Sequence, residues 1–148
     1  MGIGYGQDYG GLGVNLTVYP QENVGFFGGF GYALAGFGYN AGIKLRLLPN
    51  QGKSMFRPFV EGMYGYNAAI VITNATQYNK LFYGPTVGAG VDAGSLRARH
   101  GYFSMAILVP IRNPDAQNYI DGLQAMGVDF HTNLLPISVS FGYKWIVN

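Results

Sequence analysis

The chain has 148 residues, of which 11% are charged and 16% aromatic, with 24 Gly, no Cys and a formal net charge of +2. That length fits one domain, and a charge content under half of the ~25% usual in soluble domains speaks against a water-covered surface. Zero Cys excludes disulfides and Cys-ligated metals, and nine scattered Lys and Arg give no nucleic-acid footprint. Nowhere does the chain offer the roughly 18 consecutive apolar residues of a transmembrane helix. A membrane-spanning chain of this make-up has to be a closed β-barrel, because in lipid only helices and closed barrels satisfy every backbone group.

Period-two alternation, which sends successive side chains to opposite faces of a strand, recurs in eight segments. The first, over 2–7, is short and Gly-rich. The second, over 11–19, sets Leu12, Val14, Leu16 and Val18 against Gly13, Asn15 and Thr17, and Pro20-Gln21-Glu22-Asn23 makes a turn. In the third, Val24, Phe26, Phe30 and Tyr32 oppose Gly25, Phe27, Gly29, Gly31 and Ala33. The fourth is cleaner: Phe37, Tyr39, Ala41, Ile43, Leu45 and Leu47 alternate with Gly38, Asn40, Gly42, Lys44 and Arg46.

After a turn over 49–54, the fifth segment (57–72) turns Val60, Tyr64, Tyr66, Ala68, Ile70 and Ile72 one way. Phe59, Glu61, Met63, Gly65 and Asn67 turn the other. Its length exceeds the 9–11 residues of a crossing, so its distal end is expected to project beyond the bilayer. A polar loop over 73–80 follows. The sixth strand sets Leu81, Tyr83, Pro85, Val87, Ala89, Val91 and Ala93 against Phe82, Gly84, Thr86, Gly88, Gly90 and Asp92; the seventh, over 102–111, exposes Phe103, Met105, Ile107, Val109 and Ile111. Then Asn113 looks like an N-cap, Pro114 fits the first helical position and Gly127 a stop. Tyr119, Ile120, Leu123 and Met126 recur at helical spacing between them, which predicts a short amphipathic helix over 114–126 in the loop before the last strand. The helix reads as a loop stabiliser, or as a docking element for a partner or lipopolysaccharide. In the eighth strand Leu135, Ile137, Val139, Phe141, Tyr143, Trp145 and Val147 share one face, aliphatic first and aromatic at its end.

Eight strands with short and long connections in alternation predict an all-β, antiparallel, up-and-down transmembrane barrel. Alternation alone leaves open which face points outward. The second face decides it, being mostly Gly, Ala, Ser, Thr and Asn with only Lys44, Arg46, Glu61, Asp92 and Lys144 as charges. A soluble exterior needs far more charge, whereas small side chains suit the crowded lumen of eight strands. The five charges fall near one end of the lumen, three positive against two negative, with Lys44 and Glu61 expected to pair across a hairpin. Such a lumen is filled rather than open, so a porin is not expected. Tyr32, Phe37, Tyr39 and Tyr83 would form one interfacial aromatic girdle, and Phe26, Phe103, Tyr143 and Trp145 the other.

At this point the chain resembles the small eight-stranded outer-membrane barrels of Gram-negative-type bacteria. The resemblance covers the whole chain as architecture and rests in detail on Ile137, Val139, Phe141, Tyr143 and Trp145, which look like the C-terminal signal read by the barrel-insertion machinery. Ile146-Val147-Asn148 follow where that signal normally ends. The resemblance implies folding into the outer membrane after removal of a signal peptide, since Met1 to Tyr5 show neither a basic nor an apolar leader region. It implies no activity.

Lipid-modifying barrels are the enzymes to weigh. The lipid A deacylase barrels carry a Ser two residues after their His and a Glu later in the chain; here Asn133 follows His131 at that distance and no Glu follows Glu61. His131 lies near Asp129, and His100 shares a turn with Arg97 and Arg99. Without a nucleophile beside the base, acyl transfer lacks a mechanism. The glycine pattern at Gly88, Gly90 and Ala93 continues as a strand and is no nucleotide loop. The expectation is a non-enzymatic barrel without cofactor or metal, structural or accessory, with lipid or lipopolysaccharide around it and a larger outer-membrane complex as candidate partner. Outward Gly28, Gly62 and Ala89 would let another transmembrane surface approach closely. The competing readings are a soluble small-ligand-binding barrel and a lipid-modifying enzyme.

Overall fold

The computed structural model describes residues 1–33, 35–47, 55–70, 80–94, 101–111, 122 and 136–147. Eight strands lie in it: β1 (Gly2–Gly6), β2 (Gly11–Val18), β3 (Val24–Tyr32), β4 (Phe37–Arg46), β5 (Phe56–Ile70), β6 (Lys80–Gly94), β7 (Gly101–Pro110) and β8 (Ser138–Trp145). Each pairs antiparallel with its sequence neighbour, and β1 closes on β8, giving a closed barrel in up-and-down order. The closing seam is the shortest, with four register pairs from Gly2↔Lys144 to Tyr5↔Phe141. The expected helix over 114–126, with Tyr119, Ile120, Leu123 and Met126, lies outside the described residues apart from Gly122, as do His100, Asp129, His131 and Asn133.

The phase of the alternation is the one read from the sequence. Leu12, Val14, Leu16, Phe30, Ile43, Ile107, Val139 and Phe141 are all exposed on the outer wall, while Asn15, Lys44, Phe59, Asp92 and Leu108 are buried in the lumen. The aromatics gather at two ends. At the rim, Phe30 stacks on Phe37 with centroids 5.6 Å apart, Tyr32 meets the edge of Phe37, and Tyr39 and Tyr83 lie 5.0 Å apart. At the base, near the end of β8, Phe103, Tyr143 and Trp145 form a chain of contacts.

Three details differ from the sequence reading. Residue 7 leaves the first strand, because the chain turns inward there. Ala68, expected outside, is buried, since the β5–β6 register slips between Tyr66 and Ala68 and a bulge there shifts its phase. The last strand begins at Ser138, three residues after the start of its alternation at Leu135.

Candidate functional site

The β1–β2 connection folds back into the lumen instead of arching over the rim. Gln7–Tyr9 form one 3-10 turn whose three residues are all buried, and this plug touches β1 to β5 and β8. Gly10 and Gly11 follow at φ 71 and 106, left-handed backbone that a side chain would resist, and they return the chain to the wall.

The wall is cleared to receive the plug. A Cβ on Gly29 would stand 2.1 Å from the Asp8 carbonyl oxygen, and one on Gly142 would stand 2.5 Å from the Tyr9 ring. No real Cβ sits that close, so side chains there and the plug exclude each other. Asparagines on the wall then meet the plug's backbone. Asn15 Nδ2 donates to the Asp8 carbonyl at 2.6 Å, Asn40 Nδ2 to the Gln7 carbonyl at 2.6 Å, and Gln7 Nε2 donates in turn to the Asn67 carbonyl at 3.0 Å. The Ser140 hydroxyl donates to the Asp8 carboxylate. These bonds satisfy backbone groups that no sheet ladder can reach.

Nearer the base the charges form a second layer. Lys44 Nζ lies 3.4 Å from the centre of the Phe59 ring and reaches past it to Asp92 Oδ1 at 2.9 Å. The Ser104 hydroxyl donates to the same oxygen at 2.7 Å and accepts from Lys44 at 3.1 Å. Arg46 takes the other carboxylate oxygen at 3.2 Å while its guanidinium lies over the Tyr19 ring. Burial pushes the Tyr19 phenol above its ordinary range. Asp92 is thus ringed by two cations and a hydroxyl, the full pairing that a buried carboxylate needs.

The expected Lys44–Glu61 pair is corrected by this geometry. The two residues do face each other in register, yet no ion pair joins them among the described residues, and Glu61 Oε1 has no hydrogen-bond partner. Lysine's flexible stem lets its ammonium choose the better-furnished carboxylate two strands away. Lys144 is likewise buried and outside any ion pair among the described residues, its ammonium 5.4 Å from the Tyr9 ring. All five predicted lumen charges do sit inside. Two more, Asp8 and Arg57, join them. Arg57 shares its phase with Phe59 and Glu61 and was legible from that alternation. Asp8 had no such signal.

No protein-family model, no curated protein and no solved structure matches this chain.

Proposed function

We propose that this is an integral β-barrel of a bacterial outer membrane with a structural or accessory role and no catalytic one. One observation carries the reading: the barrel is apolar outside and charged inside. Among strand residues whose burial is described, every charged one (Lys44, Arg46, Arg57, Glu61, Asp92 and Lys144) faces the lumen. The large exposed side chains along the strands are Ile, Leu, Val, Met, Phe and Tyr, with aromatic clusters at both ends. Soluble monomers rarely expose contiguous apolar patches beyond a few hundred Å², whereas an apolar belt between aromatic girdles suits lipid.

The lumen supports the non-catalytic part. Its serine hydroxyls at 104 and 140 both donate to carboxylates, Asp92 and Asp8. That commits these two hydroxyls to holding the interior together. The accessory part rests on the outer surface of β3 to β5. A Cβ on Gly62 would meet nothing within 4 Å, and one on Gly28 only a carbonyl at 3.9 Å. Those outward glycines leave a low stretch of wall where a neighbouring transmembrane surface fits. Unchanged association of a purified complex after Gly28→Leu and Gly62→Leu would remove the accessory role.

The membrane reading is tested by refolding the chain with and without detergent micelles, then comparing boiled and unboiled samples on a denaturing gel. A compact form that needs micelles and shifts on boiling is expected; a compact monomer in plain buffer overturns the reading. Ile107→Arg gives a second test, because Ile107 is exposed at the middle of β7. Arginine there costs about 2–4 kcal/mol on a lipid face at the bilayer midplane. On a water-facing wall the same change stays within about 0.5 kcal/mol.

A further inference from the structure

With Asp8 set aside, the buried lumen charges are unbalanced. Lys44, Arg46, Arg57 and Lys144 stand against Glu61 and Asp92. Asp92 is already taken by Lys44 and Arg46, and Glu61 makes no ion pair among the described residues, so the strands leave the interior short of anions. The plug supplies one. Asp8 is 3% exposed and accepts from the Ser140 hydroxyl of β8, while Lys144, four residues on along the same face of that strand, turns its ammonium toward the neighbouring Tyr9 ring. The wall addresses Asp8 and the Gln7 carbonyl with donors, the Ser140 hydroxyl and the Asn15 and Asn40 amides, and accepts only from Gln7 Nε2, through the Asn67 carbonyl, among the described residues. By contrast the plug's other polar ends, Gln7 Oε1 and Tyr9 OH, find no partner among the described residues. What the wall recognises is a carboxylate and two carbonyl oxygens.

We propose that Asp8 occupies an anion site built into the barrel wall, a tethered carboxylate in a place that a small free carboxylate also fits. The plug sits close against this wall because Gly29 and Gly142, which face the Asp8 backbone and the Tyr9 ring, carry no side chains. The site favours a negative charge, because buried cations outnumber carboxylates in this lumen. Its geometry comes from Ser140, whose hydroxyl donates to one carboxylate oxygen. Asp8→Ala deletes that carboxylate and leaves a gap the size of formate.

The experiment is done on the full chain, in whichever medium the wild type folds, so its result does not depend on the membrane reading. The temperature at which the compact form is lost is measured for wild type and Asp8→Ala, in sodium formate and in sodium chloride at equal ionic strength. Formate is expected to raise the Asp8→Ala transition by several degrees in a saturable way, more than chloride does, and to leave wild type unmoved. Adding Ser140→Ala should raise the formate concentration for half the effect about tenfold or more, the loss of a hydrogen bond to a charge. A folded Asp8→Ala that ignores formate, or that responds equally to both salts, overturns the proposal. So does a wild type that shifts as far. If Asp8→Ala does not fold unaided, refolding yield becomes the readout: recovery in formate and not in chloride upholds the site, and recovery in neither overturns it.

Discussion

The two sides of the lumen are filled by opposite means. On the side of β5 to β7 the wall fills the interior with its own side chains: Phe59, Met63 and Leu108 are buried there and cluster with Phe27 and Ala106. On the side of β1 to β4 and β8 the inward positions are largely glycine, among them Gly4, Gly13, Gly29, Gly31 and Gly142, and the volume they give up holds Gln7–Tyr9. One wall is packed by residues and the other by a returning piece of backbone. The difference teaches that inward glycines in a small barrel mark where something else fills the space, the plug on one side and, at Gly88 and Gly90 of β6, the Leu108 and Phe59 side chains on the other, since an eight-stranded interior does not stay empty. It also separates the polar groups. The layer beneath Phe59 is closed on itself through Asp92, while the layer around the plug depends on contacts made by one short turn.

Breaking the packed side should give the largest effect. Phe59 is 1% exposed and sits in the cluster with Met63 and Leu108, with the Lys44 ammonium over its ring. Phe59→Ala removes the ring's contacts and leaves a cavity, an expected loss of about 3–5 kcal/mol. The check is a denaturant titration of the folded barrel. A loss under about 1 kcal/mol would mean that the plug or the charges relax into the space, and the packed side would no longer be the rigid one.

The sequence carried the strands and their phase because burial on one face imposes period two, and a one-residue error would turn Lys44, Glu61 and Lys144 outward. It carried the lumen charges for the same reason. It did not carry the plug. Residues 2–7 alternate like a strand, and nothing local in Gln7, Asp8 and Tyr9 says that they turn inward. The sign was non-local, an excess of glycine on the inner faces of the first, second and third strands. The bulge after Tyr66 was hidden because one extra residue leaves no compositional trace. The partner of Lys44 was hidden too, because register names the residue opposite on the next strand and not the one a long side chain reaches over a ring.

The smaller effects come from two adjacent glycines that divide the comparison cleanly. Gly29 faces the lumen, and the three nearest atoms to an added Cβ all belong to Asp8 or Tyr9. Gly28 faces outward and meets only a carbonyl at 3.9 Å. Alanine suits a strand better than glycine at both positions, so backbone preference favours both changes alike. Gly29→Ala must therefore push against the plug alone, with an expected loss of about 1–3 kcal/mol from overpacking. Gly28→Ala should stay within about 0.5 kcal/mol of wild type. The atoms in the way at Gly29 are plug backbone, so the Gly29→Ala loss should be relieved when Tyr9→Gly removes the ring that anchors the turn and frees that backbone to shift, in a double-mutant cycle with coupling above about 0.5 kcal/mol. Equal losses at 28 and 29, or no coupling to Tyr9, would mean that the glycines serve the curvature of the sheet and that the plug merely occupies what curvature leaves.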